Sequence, residues 1–170
     1  MDLSYGDMTI RMLVAMLAGS IIGFERTRAR KPAGIRTHAL VAIASASLTI
    51  ISAYGVEEFA ETRTMDPLRL AAQIVTGIGF LGAGVIWKQS NGDIRGLTTA
   101  TNIWAVAGLG IAAGLGHFFL VFLTIILLTA ALKMAKLLER IGVIRYSEEG
   151  SNLVCEENED DDIVCRVRQK

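Results

Sequence analysis

The sequence predicts an all-α, polytopic membrane protein with five transmembrane helices. Hydrophobic residues make up 52% of its 170 residues, and they are concentrated in stretches close to the roughly 20 residues that a helix needs to cross the hydrocarbon layer. Short polar segments, several of them rich in Lys and Arg, separate these stretches. Because backbone groups in lipid must be satisfied within the segment, each stretch is expected to be a helix. The predicted spans are 9–24, 37–54, 70–87, 97–115 and 118–138.

Local signals indicate where several of these helices begin or end. The third span follows Asp66 and Pro67, in which Asp is the expected N-cap and Pro the first helical residue. Only Gly116 and His117 separate the last two spans, so these two helices are expected to be antiparallel neighbours. The fifth span contains no glycine and is bulky. We expect it to be more exposed to lipid than the others, or to offer a surface to a partner membrane protein.

The distribution of positive charge predicts the orientation, because short cytoplasmic loops collect Lys and Arg. The segment 25–36 contains five such residues, and Lys88, Arg95 and the end of the fifth span add more. The loops on the opposite side contain two basic residues and the acidic segment 57–66. We therefore expect an outside N-terminus and a cytoplasmic C-terminus. Since the basic residues cluster at span ends and not on an aromatic-rich patch, no nucleic-acid partner is expected.

Small residues predict how the helices pack, since helices in lipid associate through close contacts between such residues. The first and fourth spans carry glycines at four-residue spacing, and the third carries four glycines within eight positions. We expect a tight core of spans one to four. The predicted packing glycines are Gly19, Gly23, Gly77, Gly79, Gly82, Gly84, Gly110 and Gly114.

The string from Gly77 to Gly82 matches the dinucleotide-binding fingerprint. That motif requires a preceding strand and a soluble βαβ unit, whereas this string lies within an apolar span. We therefore interpret its glycines as packing positions. Each glycine costs about 1 kcal/mol of helix propensity relative to Ala, so their density requires a reason. Close backbone approach, or a locally irregular helix that lines a polar cavity, would supply one.

Polar side chains at the spans each have two interpretations. Glu25 is either an interfacial carboxylate paired with a neighbouring arginine, or a cation ligand at the cytoplasmic mouth of the bundle. Asn102 and Gln73 are either interhelical hydrogen-bonding residues, worth about 0.6 to 2 kcal/mol each, or parts of a transport site. Arg11, one turn into the first span, is expected to extend outward to the interface.

The segment 146–170 is predicted to be a short acidic cytoplasmic tail after a membrane domain formed by 1–145. Six acidic residues lie between Cys155 and Cys165, and blocks of like charge are usually disordered. In the cytoplasm both cysteines are expected to be thiols, and a Cys/carboxylate metal site has no recognised ligand spacing here. His38 and His117 are predicted near opposite membrane faces, and no nucleophile–base arrangement is visible, so no enzymatic activity is expected.

Several strings together resemble the MgtC/SapB family of bacterial inner-membrane proteins. The resemblance covers roughly 9–116 in order and at natural spacing, which makes it specific. It implies a five-helix inner-membrane domain linked to magnesium homeostasis, to growth at low Mg²⁺ and, in some members, to survival of pathogens inside host cells. Longer members carry a cytoplasmic domain that this short form would lack. The matching strings are Gly23-Phe-Glu-Arg26, Lys31-Pro-Ala-Gly-Ile-Arg-Thr-His38, Gln73-Ile-Val-Thr-Gly-Ile-Gly-Phe-Leu-Gly-Ala-Gly84 and Arg95-Gly-Leu-Thr-Thr-Ala100, followed by Trp104.

The resemblance also implies that members modulate other membrane machinery, such as the F-type ATP synthase, more than they move magnesium themselves. We therefore expect a non-enzymatic regulator of membrane complexes. The alternative is a transporter or channel for Mg²⁺ or another cation, which predicts a homo-oligomer because five spans are few for a monomeric transporter. By position, the candidate functional residues are Glu25, Arg36, Asp66, Gln73, Arg95 and Asn102.

Overall fold

The computed structural model describes residues 3–55, 66, 68–90, 92–141, 153–157 and 163–167. Five α-helices and two antiparallel hairpins occur in these residues, which confirms the predicted helical architecture. The helices are α1 (Tyr5–Arg28), α2 (Ile35–Tyr54), α3 (Arg69–Gly84), α4 (Leu97–Gly114) and α5 (Phe118–Arg140). The strands are β1 (Trp87–Lys88), β2 (Ile94–Arg95), β3 (Leu153–Glu157) and β4 (Ile163–Val167).

Three of the described helices, α1, α2 and α4, are long and apolar enough to cross a membrane. The 16 residues of α3 extend over about 24 Å at 1.5 Å per residue, which is less than the roughly 30 Å of a hydrocarbon layer. The apolar part of α5, Phe118–Met134, is also shorter than the three candidate spans. Length and composition therefore support a membrane protein with three clear spanning candidates and two shorter apolar helices.

The prediction for the third span was wrong at its C-terminal end, because the helix stops at Gly84 and not at residue 87. Trp87 and Lys88 instead pair with the residues of β2 in a hairpin between α3 and α4. Gly96 follows β2 with a φ of 93° and is the N-cap residue of α4. A Cβ at Gly96 would overlap the Val85 carbonyl oxygen, so only glycine permits this turn. The predicted span is too long because the apolar residues between Gly84 and β1, and Trp87 in β1, continue the hydrophobic run of α3.

The start of α3 also differs from the prediction. The N-cap residue is Leu68, and the helix begins at Arg69. The Asp66 carboxylate accepts a hydrogen bond from the Leu68 backbone N–H at 2.9 Å. Asp66 therefore stabilises the turn before α3 and not the first turn of the helix, while Pro67 lies outside the described residues.

Helices α1, α2 and α4 form the core through close approaches at glycine. A Cβ at Gly19 would lie 2.9 Å from the Ala42 Cβ, and one at Gly23 would lie 2.6 Å from the Ile35 Cα, so both glycines close the α1–α2 interface. Gly110 and Gly114 close the α2–α4 interface in the same way. The core is filled by small and branched apolar residues: Ala15, Ala18, Ile22, Ala42, Ala46, Val106, Leu109, Ala112, Ala113 and Val121.

Helix α3 lies beside the core, where Ile74 and Ile78 pack against Ile103 and Ala107 of α4. It is an uninterrupted α-helix, so a helix irregularity does not explain its glycines.

The packing predicted for three of those glycines is not found in the described chain. A Cβ at Gly77, Gly79 or Gly84 would meet no atom within 4 Å, and one at Gly82 would lie 3.7 Å from the Ala100 Cβ. Gly77 borders an open cavity between α2 and α3, and Gly82 faces α4.

The two strands β3 and β4 lie in the tail that the sequence predicts to be disordered. They pair antiparallel from Leu153 opposite Val167 to Glu157 opposite Ile163. These two segments pair as strands, while the remainder of 146–170 lies outside the described residues, so the disorder of the tail as a whole stays a prediction. That prediction gave weight to the acidic block between the two strands and not to the β-branched residues on either side, which favour strands.

Candidate functional site

Polar side chains gather where the last turn of α1 meets the first turns of α2 and α4. We call this group the polar cluster, and it comprises Glu25, Arg26, His38, Thr99 and Asn102. The close approach at Gly23 brings the start of α2 against α1. That approach buries the residues one turn later on α1, because side chains three and four positions apart share a helix face.

Arg26 lies at the centre of the polar cluster and is 4% exposed. Its Nη2 donates to the Thr99 hydroxyl at 3.5 Å, and its Nη1 lies 3.9 Å from a Glu25 carboxylate oxygen. Its Nε is buried without a hydrogen-bond partner. A cation in the last turn of α1 also interacts favourably with the C-terminal end of the helix dipole.

His38 is fully buried and lies within electrostatic range of Arg26. Its Nδ1 is 2.8 Å from the Gly34 carbonyl oxygen, which acts as the acceptor, so Nδ1 carries the proton. In the neutral imidazole Nε2 is then an acceptor, and it is buried without a hydrogen-bond partner. The cluster thus holds one buried donor and one buried acceptor that each lack a partner, which costs about 1 to 3 kcal/mol per group unless a polar ligand or water satisfies them.

Asn102, at 4% exposure, lies one turn beyond Thr99 on α4. Its Nδ2 donates to the Thr98 carbonyl oxygen at 2.7 Å. This hydrogen bond is within α4 and so orients the Asn102 side chain, without linking two helices.

The charges of the polar cluster do not favour a divalent cation. The positive guanidinium of Arg26 stands between the Glu25 carboxylate and the start of α4. Mg²⁺ prefers several oxygen ligands, usually including carboxylates. Among the described residues, no group of three or more His, Cys, Asp or Glu side chains could hold a metal ion.

The other predicted site residues lie outside the polar cluster and are exposed. Arg95 donates from Nε to the Gln89 side-chain oxygen at 3.2 Å and lies 3.9 Å from the Asp93 carboxylate, so it braces the β1–β2 hairpin. Gln73 lines a cavity of about 310 Å³ between α2 and α3. Arg36 is exposed in the first turn of α2, and Asp66 caps the turn before α3.

Sequence reasoning missed the residues at the centre of the cluster. The sequence predicts a neighbouring arginine as a partner of Glu25, and the Arg26–Glu25 contact agrees with that interpretation. It does not predict the burial of Arg26, and it gives His38 no role in a polar cluster. The four-residue spacing of Gly19 and Gly23 could have indicated the burial of Arg26. These glycines mark the face of α1 that contacts α2, and Arg26, three residues after Gly23, lies on the same face.

Arg11 joins three helices at the opposite end of the core, which the prediction of an outward-pointing side chain had missed. Its Nη1 donates to the Tyr54 hydroxyl at 2.9 Å and to the Gly114 carbonyl oxygen at 2.7 Å. Its guanidinium also lies 5.0 Å from the centroid of the Tyr54 ring. The unsatisfied carbonyls at the C-terminal end of α4 attract a cation, so Arg11 folds inward.

Comparison with known proteins identifies the family. The model of the MgtC family matches residues 12–141, which include the polar cluster, α1 from residue 12 onward and the whole of α2 to α5. The chain belongs to the MgtC family. The match assigns the family and does not by itself assign an activity.

Three relatives illustrate the match. A protein of Haemophilus influenzae is 47% identical over 133 residues, covering 76% of this chain and 56% of the relative. Protein MgtC of Salmonella typhimurium is 42% identical over 142 residues, covering 83% and 58%. "Putative magnesium transporter YhiD" of Escherichia coli is 44% identical over 117 residues, covering 66% and 53%. The chain thus spans little more than half the length of these three relatives. No solved structure matches it.

Proposed function

We propose that this protein is a five-span inner-membrane protein of magnesium homeostasis that regulates another membrane complex through helix–helix contact, without catalysing a reaction. One observation carries the proposal. Gly19 and Gly23 of α1 and Gly110 and Gly114 of α4 are used at close contacts with α2, whereas three of the four glycines of α3, Gly77, Gly79 and Gly84, are open in the described chain. In this proposal α3 and α5 also cross the bilayer, the N-terminus is outside and the C-terminus is cytoplasmic.

The open face of α3 has the features of a helix-docking surface in lipid. Gly77 and Gly84 lie two turns apart with Phe80 between them on the same face, and Phe80 is 82% exposed. Helices in lipid associate where small residues let backbones approach closely. Glycine costs helix propensity, and contact with a helix from another protein would offset that cost at positions that meet no atom of the described residues.

The packing of the core supports regulation over transport through one protomer. The interior between α1, α2 and α4 is filled by Ala18, Ala42, Val106 and Ala113. Backbone oxygens of α2 touch the glycine positions of its neighbours. A hydrated cation that passed between these helices would have to separate them. The buried hydroxyl of Thr49 lies within this region and donates to the Ser45 carbonyl oxygen of the same helix at 2.7 Å. The buried charged and ring side chains lie at its two ends, in the polar cluster and around Arg11.

The connection to magnesium rests on the family and on the name of the Escherichia coli relative, which refers to magnesium transport. The partner would be a membrane complex whose activity changes when Mg²⁺ is scarce. The family resemblance suggests the F-type ATP synthase as the first complex to examine.

The test is affinity purification in mild detergent from cells starved of Mg²⁺. Phe80→Ala and Phe119→Ala form a matched pair, because the α5 residue Phe119 is also exposed, at 78%. We expect a partner complex to co-purify with the parent protein and with Phe119→Ala, and its recovery with Phe80→Ala to fall about tenfold, as for a central interface residue. Absence of any reproducible partner, or equal recovery with both variants, would contradict the proposal.

A second candidate function is cation transport by an oligomer. The observation that favours it is the cavity between α2 and α3, where Gln73 and Ser45 bring polar groups to an otherwise apolar lining. Purified protein in liposomes would then pass Mg²⁺ or protons under a gradient. Gln73→Ala at the cavity, and Glu25→Gln and Asn102→Ala in the polar cluster, would reduce the flux. Absence of flux from reconstituted oligomers would remove this candidate.

A further inference from the structure

The chain contains two cysteines, and the β3–β4 hairpin makes them partners. Cys155 is the third residue of β3 and Cys165 the third residue of β4. Their Cα atoms are paired at the centre of a register of five residue pairs. We propose that Cys155 and Cys165 form a reversible dithiol–disulfide site, which a small-molecule or protein disulfide oxidises by thiol–disulfide exchange.

The register satisfies the geometric requirement for the bond. Directly opposite residues of an antiparallel pair have Cα atoms about 4.5 Å apart in a non-hydrogen-bonded pair and about 5.5 Å apart in a hydrogen-bonded pair. Disulfides are found at Cα separations of roughly 4.4 to 6.8 Å. Both kinds of pair fall within this range, so the site needs no rearrangement of the strands. Two opposite residues also share one face of the ribbon, whereas a shift of one residue places them on different faces.

The reaction is balanced without a further reagent. The thiolate of one cysteine attacks the oxidant RSSR, forms a mixed disulfide and releases one RS⁻, which takes up the proton that the cysteine lost. The second cysteine attacks this mixed disulfide, forms the internal bond and releases the second RSH. Two electrons pass from the dithiol to the oxidant, and the product is one internal disulfide with two RSH.

Oxidation would change the state of the tail. An isolated two-stranded hairpin is marginally stable in water, and four consecutive acidic residues, 159–162, stand between the two strands in the sequence. Like charges close together oppose closure of that segment. A disulfide between the strand centres removes conformational freedom from the open chain. The site therefore links the redox state of the surroundings to the order of the tail, independently of the proposed role of α3.

The experiment uses the full-length protein in detergent, equilibrated in buffers of reduced and oxidised glutathione and then quenched with acid. Alkylation of the remaining thiols and intact-mass measurement give the fraction with an internal disulfide. We expect both thiols of the parent protein to become unreactive together as the buffer becomes more oxidising. The intact mass should fall by the mass of two hydrogens, and no glutathione adduct should appear. Cys165→Ser should give only a glutathione adduct on Cys155.

A variant with the same composition tests the register itself. Val164→Cys combined with Cys165→Val moves one thiol to the position opposite Glu156. We expect its equilibrium constant for internal oxidation to be at least about tenfold lower than that of the parent protein. Equal constants, glutathione adducts on both cysteines of the parent protein, or a disulfide between two chains would each overturn the proposal.

Discussion

The α2–α4 interface gives a sharp test of the packing at glycine. Gly108 and Gly110 lie two residues apart on α4, and both can be changed to alanine. A Cβ at Gly108 would meet no atom within 4 Å. A Cβ at Gly110 would overlap the Ala42 carbonyl oxygen and lie 2.7 Å from the Ser45 Cβ. The two variants therefore add the same methyl group to the same helix in opposite surroundings.

The expected magnitudes follow from these distances. Both variants gain about 1 kcal/mol of helix propensity. Gly108→Ala keeps this gain and should be as stable as the parent protein, or more stable by up to about 1 kcal/mol. Gly110→Ala also carries the cost of overpacking, about 1 to 3 kcal/mol, because the atom in its way belongs to the backbone of α2 and cannot rotate aside. We expect the two variants to differ by roughly 1 to 3 kcal/mol in unfolding free energy.

The measurement is unfolding in mixed micelles, with helical circular dichroism followed as the mole fraction of a denaturing detergent increases. The parent protein and both variants are compared in one lipid-like detergent, so that the reference state is shared. Equal midpoints for Gly108→Ala and Gly110→Ala would refute the close α2–α4 approach, and with it the closed core on which the argument against transport within one protomer depends.

Three further predictions use the same unfolding assay. Arg26→Leu removes the guanidinium between Glu25 and α4 and should lower the free energy of unfolding by about 1 to 3 kcal/mol. Arg36→Leu, at an exposed position, should change that free energy by less than about 0.5 kcal/mol. Equal effects of the two variants would contradict the burial of Arg26. Arg11→Met loses hydrogen bonds to a hydroxyl and to a carbonyl and should lower the free energy of unfolding by about 1.5 to 3 kcal/mol. Tyr54→Phe removes only one of these bonds and should lower it by less. A larger loss of stability in Tyr54→Phe would show that the helix-end carbonyl is not the main partner of Arg11. Asn102→Ala loses one bond within α4 and should cost about 0.5 to 1.5 kcal/mol, and a larger loss would indicate a partner on another helix.

Much of the helix layout could be predicted from the sequence, since a run of apolar residues in lipid has few alternatives to a helix. Helices α2, α4 and α5 begin within two residues of the predicted positions. The glycine spacing on the first and fourth spans likewise coincides with close approaches in the core. The end of α3 was beyond such reasoning, because Trp87 is equally apolar in a helix and in a hairpin.

The candidate site could be predicted less completely from the sequence. Glu25 and Asn102 were identified from their chemistry and position, but Arg26 and His38 acquire their significance from burial, which depends on which helix covers which face. Arg36, Asp66, Gln73 and Arg95 have the same kinds of side chain and remain exposed. A one-dimensional pattern does not separate these two groups.

By itself, the sequence determined that the chain is helical, apolar and of a recognisable family, because hydrophobic run length and short strings are local properties. The tertiary structure decided which glycines are buried, and it decided that Arg11 reaches a carbonyl 103 positions away. It also placed the two cysteines opposite each other. These outcomes depend on contacts between distant segments, whose free energy is gained only when the helices and strands have come together.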